Sequence, residues 1–193
     1  MWSSEYSLGS VSPVVEADIE QFSANIRSAD IEELSLVSDV DPLDALRHTV
    51  GNAKLALAIR DKEGVAVSMI GINWTDESPR VGLAWFLSAD VLDKYALVFL
   101  QEMKHLIGPM MQGHDMIYNF VYKKNAATMR WLEWLGFEEL EEMAAPRGGN
   151  PEDKFAKMAL FSSPEVRDLY VNRDWAAYVE SAGIVYERDS DPK

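Results

Sequence analysis

Side chains able to do chemistry are few and scattered in this sequence. Cysteine is absent, which removes disulfides, thiolate nucleophiles and zinc–thiolate sites together. The three histidines, His48, His105 and His114, fall in separate segments without the spacing that brings two imidazoles onto one helical face. His105 sits in a long amphipathic stretch and reads as a surface or boundary residue. No G-x-S-x-G elbow supports a serine nucleophile, and no P-loop or Rossmann glycine pattern appears. The adjacent acids Glu138–Glu139 and Glu141–Glu142 lie on a strand-like run, so each pair points to opposite faces and solvates the surface. Trp131 and Trp134 read as core and boundary packing.

Composition narrows the classes further. A chain of 193 residues can bury a sizeable single core. Its net charge of −14 repels nucleic acid and anionic lipid, so neither is an expected partner. Much of that charge comes early, in Glu5, Glu16, Asp18, Glu20, Asp30, Glu32, Glu33, Asp39, Asp41 and Asp44 against Arg27 and Arg47. Such a surface suits basic substrates or basic protein partners, and its plainest role is to solvate one face. "MWSSEYSLGS" has no basic-then-apolar leader, and runs such as "VGLAWFL" are far too short to cross a bilayer. The expectation is a soluble, cytoplasmic protein.

The elements that would position a site can be read along the chain. "ADIEQFSANI" carries Ile19, Phe22 and Ile26 at helical spacing, with Asp18 as N-cap. "SADIEELSLV" is a second helical piece, and "DPLDALRHTV" a third, with Asp41 as cap and Pro42 in its first turn. "KLALAIRD", "GVAVSMIGINW" and "VGLAWFL", separated by turn residues, predict a three-strand antiparallel meander. "SADVLDKYALVFLQEMKHLIG" carries Leu92, Tyr95, Ala96, Phe99, Met103 and Leu106 on one stripe, between a Ser88 cap and a Gly108 stop. "DMIYNFVY" then returns parallel to the strand before that helix. "NAATMRWLEWLGF" is a capped helix: Asn125 opens it, Thr128, Trp131, Leu132 and Leu135 share a face, and Gly136 ends it before Phe137 starts a strand. "KFAKMALF" closes the sheet, and Ser163-Pro164 opens a last helical segment.

This order, with Val121-x-x-x-Asn125…Leu135-Gly136-Phe137, resembles the GNAT family of acyl-CoA-dependent N-acyltransferases over roughly residues 14–161. The run from "IRSADIEEL" through "AWFLSADVL" to "NAATMRWLEWLGF" is similar to a divergent GNAT-like group of short-tailed bacteriophages that includes small internal virion proteins. The resemblance implies an α+β fold, a mixed and mostly antiparallel sheet flanked by helices, as a domain at 1–161 with a helical, acidic extension at 162–193. It also implies acetyl-CoA wedged between the fourth and fifth strands. Fourth-strand backbone would bond the pantetheine, and amides opening the next helix would hold the pyrophosphate. Here the fourth strand is "VGLAWFL", so Phe86, Leu87 and Ser88 would face the cofactor. Asn125 matches the family asparagine that caps the last core helix beside the pantetheine arm.

Two departures weigh against catalysis. The family's phosphate loop is glycine-rich, whereas "SADVLDKYALVF" has no glycine and places Asp90 and Asp93 where phosphates would sit. The family's thiolate-protonating tyrosine, seven residues after the asparagine, is Leu132 here. Tyr118 and Tyr122 on the neighbouring strand are the nearest substitutes, and no general base stands out. The sequence therefore favours a catalytically degenerate phage-type protein, a virion, assembly or host-interaction component with a protein partner, in the host cytoplasm or the virion. The C-terminal apolar residues Val166, Leu169, Tyr170, Trp175 and Tyr178 fit either docking or packing on their own domain. The alternative is an active acetyl-CoA-dependent N-acetyltransferase acting on a basic amine or a lysine side chain.

Overall fold

The computed structural model describes residues 4–5, 9–75, 78, 80–91, 96–147 and 150–172. The chain opens with β1 (Ser4–Glu5) and β2 (Gly9–Pro13), followed by α1 (Glu16–Ser23), α2 (Ser28–Ser35) and α3 (Pro42–Gly51). The meander is β3 (Ala53–Asp61), β4 (Ala66–Trp74) and β5 (Val81–Ser88). Helix α4 (Ala96–Met111) crosses to β6 (Met116–Tyr122), and α5 (Ala126–Leu135) leads to β7 (Glu138–Ala144). β8 (Lys154–Phe161) then pairs between β6 and β7, and α6 (Pro164–Val171) follows it. The described strands form one sheet in the order β1-β2-β3-β4-β5-β6-β8-β7, antiparallel throughout except where β6 runs parallel to β5. This is the expected α+β architecture.

Two cores hold the helices to the sheet. On one face Phe99, Met103, Leu106 and Met110 of α4 and Leu132 of α5 pack on Ile70, Ile72, Ala84, Ile117 and Val121. On the other, Ile19 and Phe22 of α1 and Leu46 of α3 pack on Ala58 and Met69. Each of these Leu, Ile, Val, Phe and Met side chains contributes about 1.5–3 kcal/mol when fully buried. In β4, Gly71 lies under the Trp85 indole and the Leu55 carbonyl, with no room for a β-carbon. That glycine lets Trp85 lie flat and donate its indole N–H to Asn73 Oδ1 at 2.6 Å.

The structure corrects several expectations. "GSVSP", within a stretch expected to be mostly helical, is a strand; its serines and proline hide the signal, and it pairs along β3. Counted from β2, "VGLAWFL" is the fourth strand, as expected. Asp18 is not the cap of α1. It lies in the first turn, accepts the Val15 N–H at 2.8 Å, and forms a buried ion pair with Arg60 at 2.5 Å. Ser88 is the last residue of β5, and it caps no described helix; α4 runs through Gly108 and Pro109 to Met111 because Met110 extends the buried stripe. The stop is Gly113, at φ +82°. Leu92 and Tyr95 of the expected stripe lie outside the described residues.

Helix α5 is as anticipated. Asn125 Oδ1 accepts the Thr128 N–H at 3.3 Å, and Gly136 adopts φ +100°. Ser163 caps α6, which docks on the sheet through Arg167 to Glu138 and Tyr170 to Lys157. Val166, Leu169 and Tyr170 thus belong to a helix packed on its own sheet, while Trp175 and Tyr178 lie outside the described residues. The acidic strand β7 faces both ways as expected: Glu139 and Glu142 pair with Lys123, Glu138 with Arg167.

Candidate active site

The two parallel strands pair over only three positions, Val81–Met116, Gly82–Ile117 and Leu83–Tyr118. Beyond them β5 bonds only to β4, and β6 only to β8. The strands therefore part, and a cavity of about 270 Å³ fills the opening. Phe86, Leu87 and Ser88 of β5 and Asn119 of β6 line it. Phe99 and Leu100 of α4, and Asn125, Ala127, Thr128 and Trp131 at α5, form one wall. Arg27, Asp30, Glu33 and Leu34 of the α2 region form the other. The residues singled out from sequence, Phe86, Leu87, Ser88 and Asn125, thus converge on one site.

Their roles differ in detail. The Ala89 N–H bonds Val67 O at 2.9 Å, and antiparallel pairing alternates the side to which successive residues turn their backbone. Leu87 therefore turns its backbone to β4, where its carbonyl accepts from Ser68 Oγ at 2.7 Å. Ser88 and Phe86 face the opening. Ser88 is already engaged: its N–H donates to Asp30 Oδ2 at 2.9 Å and its carbonyl accepts the Arg27 N–H at 2.8 Å. The start of α2 thus latches onto the end of β5. Among the described residues nothing bonds the Phe86 backbone on that side, so of the three it is the one left to meet a ligand.

Asp30 and Glu33 do not solvate a face, as their acidic neighbourhood suggested. Asp30 is buried and also accepts from Arg27 Nη2 at 2.6 Å. Burial pushes its carboxyl up and outweighs the guanidinium and the Ser88 amide, which pull it down. Glu33, half-buried, is pushed up to about 7, again chiefly by burial, against the opposing hydrogen bond from Asn125. Asn125 thus does two things: it caps α5 with its oxygen and donates Nδ2 to Glu33 Oε2 at 3.4 Å. A carboxyl that ionises near neutrality is suited to accept a proton, and nothing in the sequence distinguished Glu33 in this way. Arg27 Nη2 also reaches Thr128 Oγ1 at 3.3 Å, tying α2 to α5 across the cavity.

Among the described residues, two buried side-chain nitrogens have no acceptor, Arg27 Nε and Trp131 Nε1, and both belong to residues of this cavity. The Phe86 backbone, at the edge of the opening, fits a ligand rich in amide groups, as a pantetheine arm is. The phosphate end is less favourable: Asp90 is exposed beside the latch, and Asp93 lies outside the described residues. Tyr118 and Tyr122 are not substitutes for the missing tyrosine. Tyr118 packs against Phe120 and beneath Lys157, and Tyr122 donates to Asp153 at 2.6 Å. Neither lines the cavity. Leu132 is fully buried in the core, while its neighbour Trp131 faces the site.

Solved structures share this fold. The ribosomal-protein-S5-alanine acetyltransferase from Vibrio fischeri superposes with a TM-score of 0.63 at 14% identity, over 85% of this chain and 98% of that one. The spermidine N-acetyltransferase from Vibrio cholerae, in complex with CoA and spermine, gives 0.62 at 13% identity, over 78% of this chain and 94% of that one. A GNAT-family acetyltransferase from Bacillus anthracis gives 0.60 at 11%, over 83% and 98%. The fold is that of the GNAT acetyltransferases. No protein-family model matches the sequence, and no curated protein matches it either. No described helix is long and apolar enough to cross a membrane, and no described cluster of ligating side chains could hold a metal.

Proposed function

We propose that this chain is an acyl-CoA-dependent N-acyltransferase that acetylates a cationic amine. The observation that carries this is the parting of β5 and β6, which opens a cavity lined by Phe86 and by Glu33, whose carboxyl burial pushes up to about 7. Acetyl-CoA, when bound, supplies the acetyl thioester. Phe86 would hold the pantetheine arm from β5, and Asn125 would flank it from α5. Leu87 and Ser88 shape the wall, Ser88 through its latch to Asp30. Arg27 balances Asp30, so Glu33, when ionised, is the carboxylate of the α2 wall that would meet an ammonium group, and it would take the proton so that the free amine can attack. Two of the structural neighbours are by name a spermidine and an alanine acetyltransferase, so both classes of amine belong in a first screen.

A second reading keeps the fold without turnover, as a phage-type virion, assembly or host-interaction component with a protein partner, in the host cytoplasm or the virion. Leu132 in the core and the occupied Ser88 backbone favour it. Free-thiol release from acetyl-CoA separates the two. The acyltransferase reading expects release that depends on spermidine, a lysine peptide or an alanine N-terminus, with a rate that falls as pH drops through about 7. Glu33→Gln should lower that rate about 10²-fold, the lower end for a general base. Release no faster than hydrolysis with every amine would leave the second reading standing.

A further inference from the structure

A second cavity lies near the other end of β5. Its volume is about 230 Å³, and Leu55, Leu57, Ile72, Pro109 and Met110 give it an apolar lining. Lys54 and His114 bring nitrogen chemistry to it. The His114 ring is buried, and Gly82 makes room for it: a β-carbon there would stand 3.1 Å from the imidazole. Gly82 is near the start of β5 and Ser88 is its last residue, roughly 20 Å along the strand, so this cavity is separate from the candidate active site. His114 Nδ1 lies 3.1 Å from the Met110 carbonyl oxygen, which can only accept. The proton of the neutral ring therefore sits on Nδ1, and Nε2 keeps a lone pair. Lys54 Nζ lies 3.4 Å from that nitrogen. Burial, and then the Lys54 charge, hold the imidazole below its ordinary value, so the ring is neutral at pH 7. Arg80 and Asp115, which pair with each other, act on it in opposite senses. Burial pulls the Lys54 ammonium down as well. Among the described residues no carboxylate pairs with Lys54; its Nζ stands 4.8 Å over the Trp74 ring.

We propose that Lys54 is a modification site, a nucleophilic lysine that takes an acyl group from a thioester or an acyl phosphate, with His114 Nε2 as its base. An activated nucleophile needs an adjacent base and a third group that orients the base. Here these are the Lys54 amine, the His114 imidazole and the Met110 carbonyl. The Nζ lone pair attacks the acyl carbon, a C–N bond forms, and the C–S or C–O bond to the leaving group breaks. His114 Nε2 takes the proton that Nζ sheds and passes it to the departing thiolate or, after phosphate leaves, to water. The product is an uncharged amide beside an apolar cavity, and no oxidant or further reactant is required. The site stands apart from the opening between β5 and β6 and does not depend on turnover there.

The chain is incubated at pH 8 with acetyl phosphate and, separately, with the small thioester N,S-diacetylcysteamine. Acetylation of Lys54 and Lys62 is followed by peptide mass spectrometry. Lys62 is an exposed lysine between β3 and β4 and serves as the reference. The proposal expects Lys54 to react about 10-fold or more faster than Lys62 with at least one reagent, and the preferred reagent tells a thioester donor from an acyl phosphate. His114→Gln removes the base and should bring the Lys54 rate to within about threefold of the Lys62 rate. In wild type the Lys54 rate should level off at a lower pH than the Lys62 rate, and this profile carries the test if the variant does not fold. Equal rates at the two lysines with both reagents, a Lys54 rate unchanged by His114→Gln, or coincident pH profiles would overturn the proposal. None of these outcomes touches the acyltransferase reading, because neither reagent contains CoA.

Discussion

Replacing Glu33 by glutamine probes the most unusual electrostatic feature of the site. The amide would keep the shape and still accept from Asn125 Nδ2, but would carry no charge. Burial holds the Glu33 carboxyl at about 7 instead of 4.5. Ionising it in the folded chain therefore costs on the order of 3 kcal/mol at full coverage. The side chain edges an open cavity, so solvent screens part of this, and ~1–2 kcal/mol is the expected remainder. The sign follows from proton binding. Between pH 4.5 and about 7 the folded chain holds this proton more tightly than the unfolded chain does. Its stabilising contribution is complete below pH 4.5 and is lost as pH rises through about 7. Glu33→Gln should thus leave stability unchanged at pH 4.5 and raise it at pH 8, by about 3–6 °C in Tm for a domain of this size. Urea and thermal unfolding at the two pH values measure it. A variant equally stable with wild type at pH 8, or destabilised alike at both, would refute the argument that Glu33 is held near neutrality by burial.

Other perturbations test the supporting structure. Arg60→Ala strands the buried Asp18 carboxylate and should cost about 3 kcal/mol in urea unfolding, the low end for a broken buried pair because Val15 still donates to Asp18. Gly71→Ala has no space beneath Trp85 and the Leu55 carbonyl, so it should give insoluble or unfolded protein by circular dichroism; a folded variant with unchanged Tm would contradict the packing. Asn125→Ala should cost about 1 kcal/mol through the lost cap. The same change removes a bond that holds the Glu33 carboxyl down, so its titration midpoint, read by 13C NMR, should move above the wild-type value of about 7.

The parts of this molecule that were legible in sequence are those whose signals are local. Helix α5 announces itself within a dozen residues: a cap at Asn125, apolar spacing through Leu135, and Gly136 at positive φ. The β3–β5 meander shows in its β-branched runs and turns, and the parallel return of β6 follows from α4 lying between. Strand β2 was hidden because serine and proline carry little strand signal and its pairing with β3 is long-range. The α2 wall was hidden for a related reason. Arg27, Asp30 and Glu33 at spacings of three look like any solvated helical face; what covers them is the end of β5, with Ser88 reaching Asp30 across 58 residues of sequence, and the start of α5, with Asn125 reaching Glu33 and Thr128 reaching Arg27. The latch also explains why fourth-strand residues of equal promise have unequal roles, since Ser88 is claimed by α2 and Leu87 by β4. Trp131 looked like packing, and it does pack, but its N–H is left over.

Calorimetric titration of acetyl-CoA into the purified chain, with melting temperature followed in parallel, tests the central claim most directly. The account predicts saturable binding at a single site, a stabilisation of about 2.7 kcal/mol at ligand one hundredfold above Kd, and weakening when Phe86 or Trp131 is altered. No heat and no rise in melting temperature at millimolar acetyl-CoA would contradict it, and would mean that the opening between β5 and β6 serves the fold without serving the cofactor.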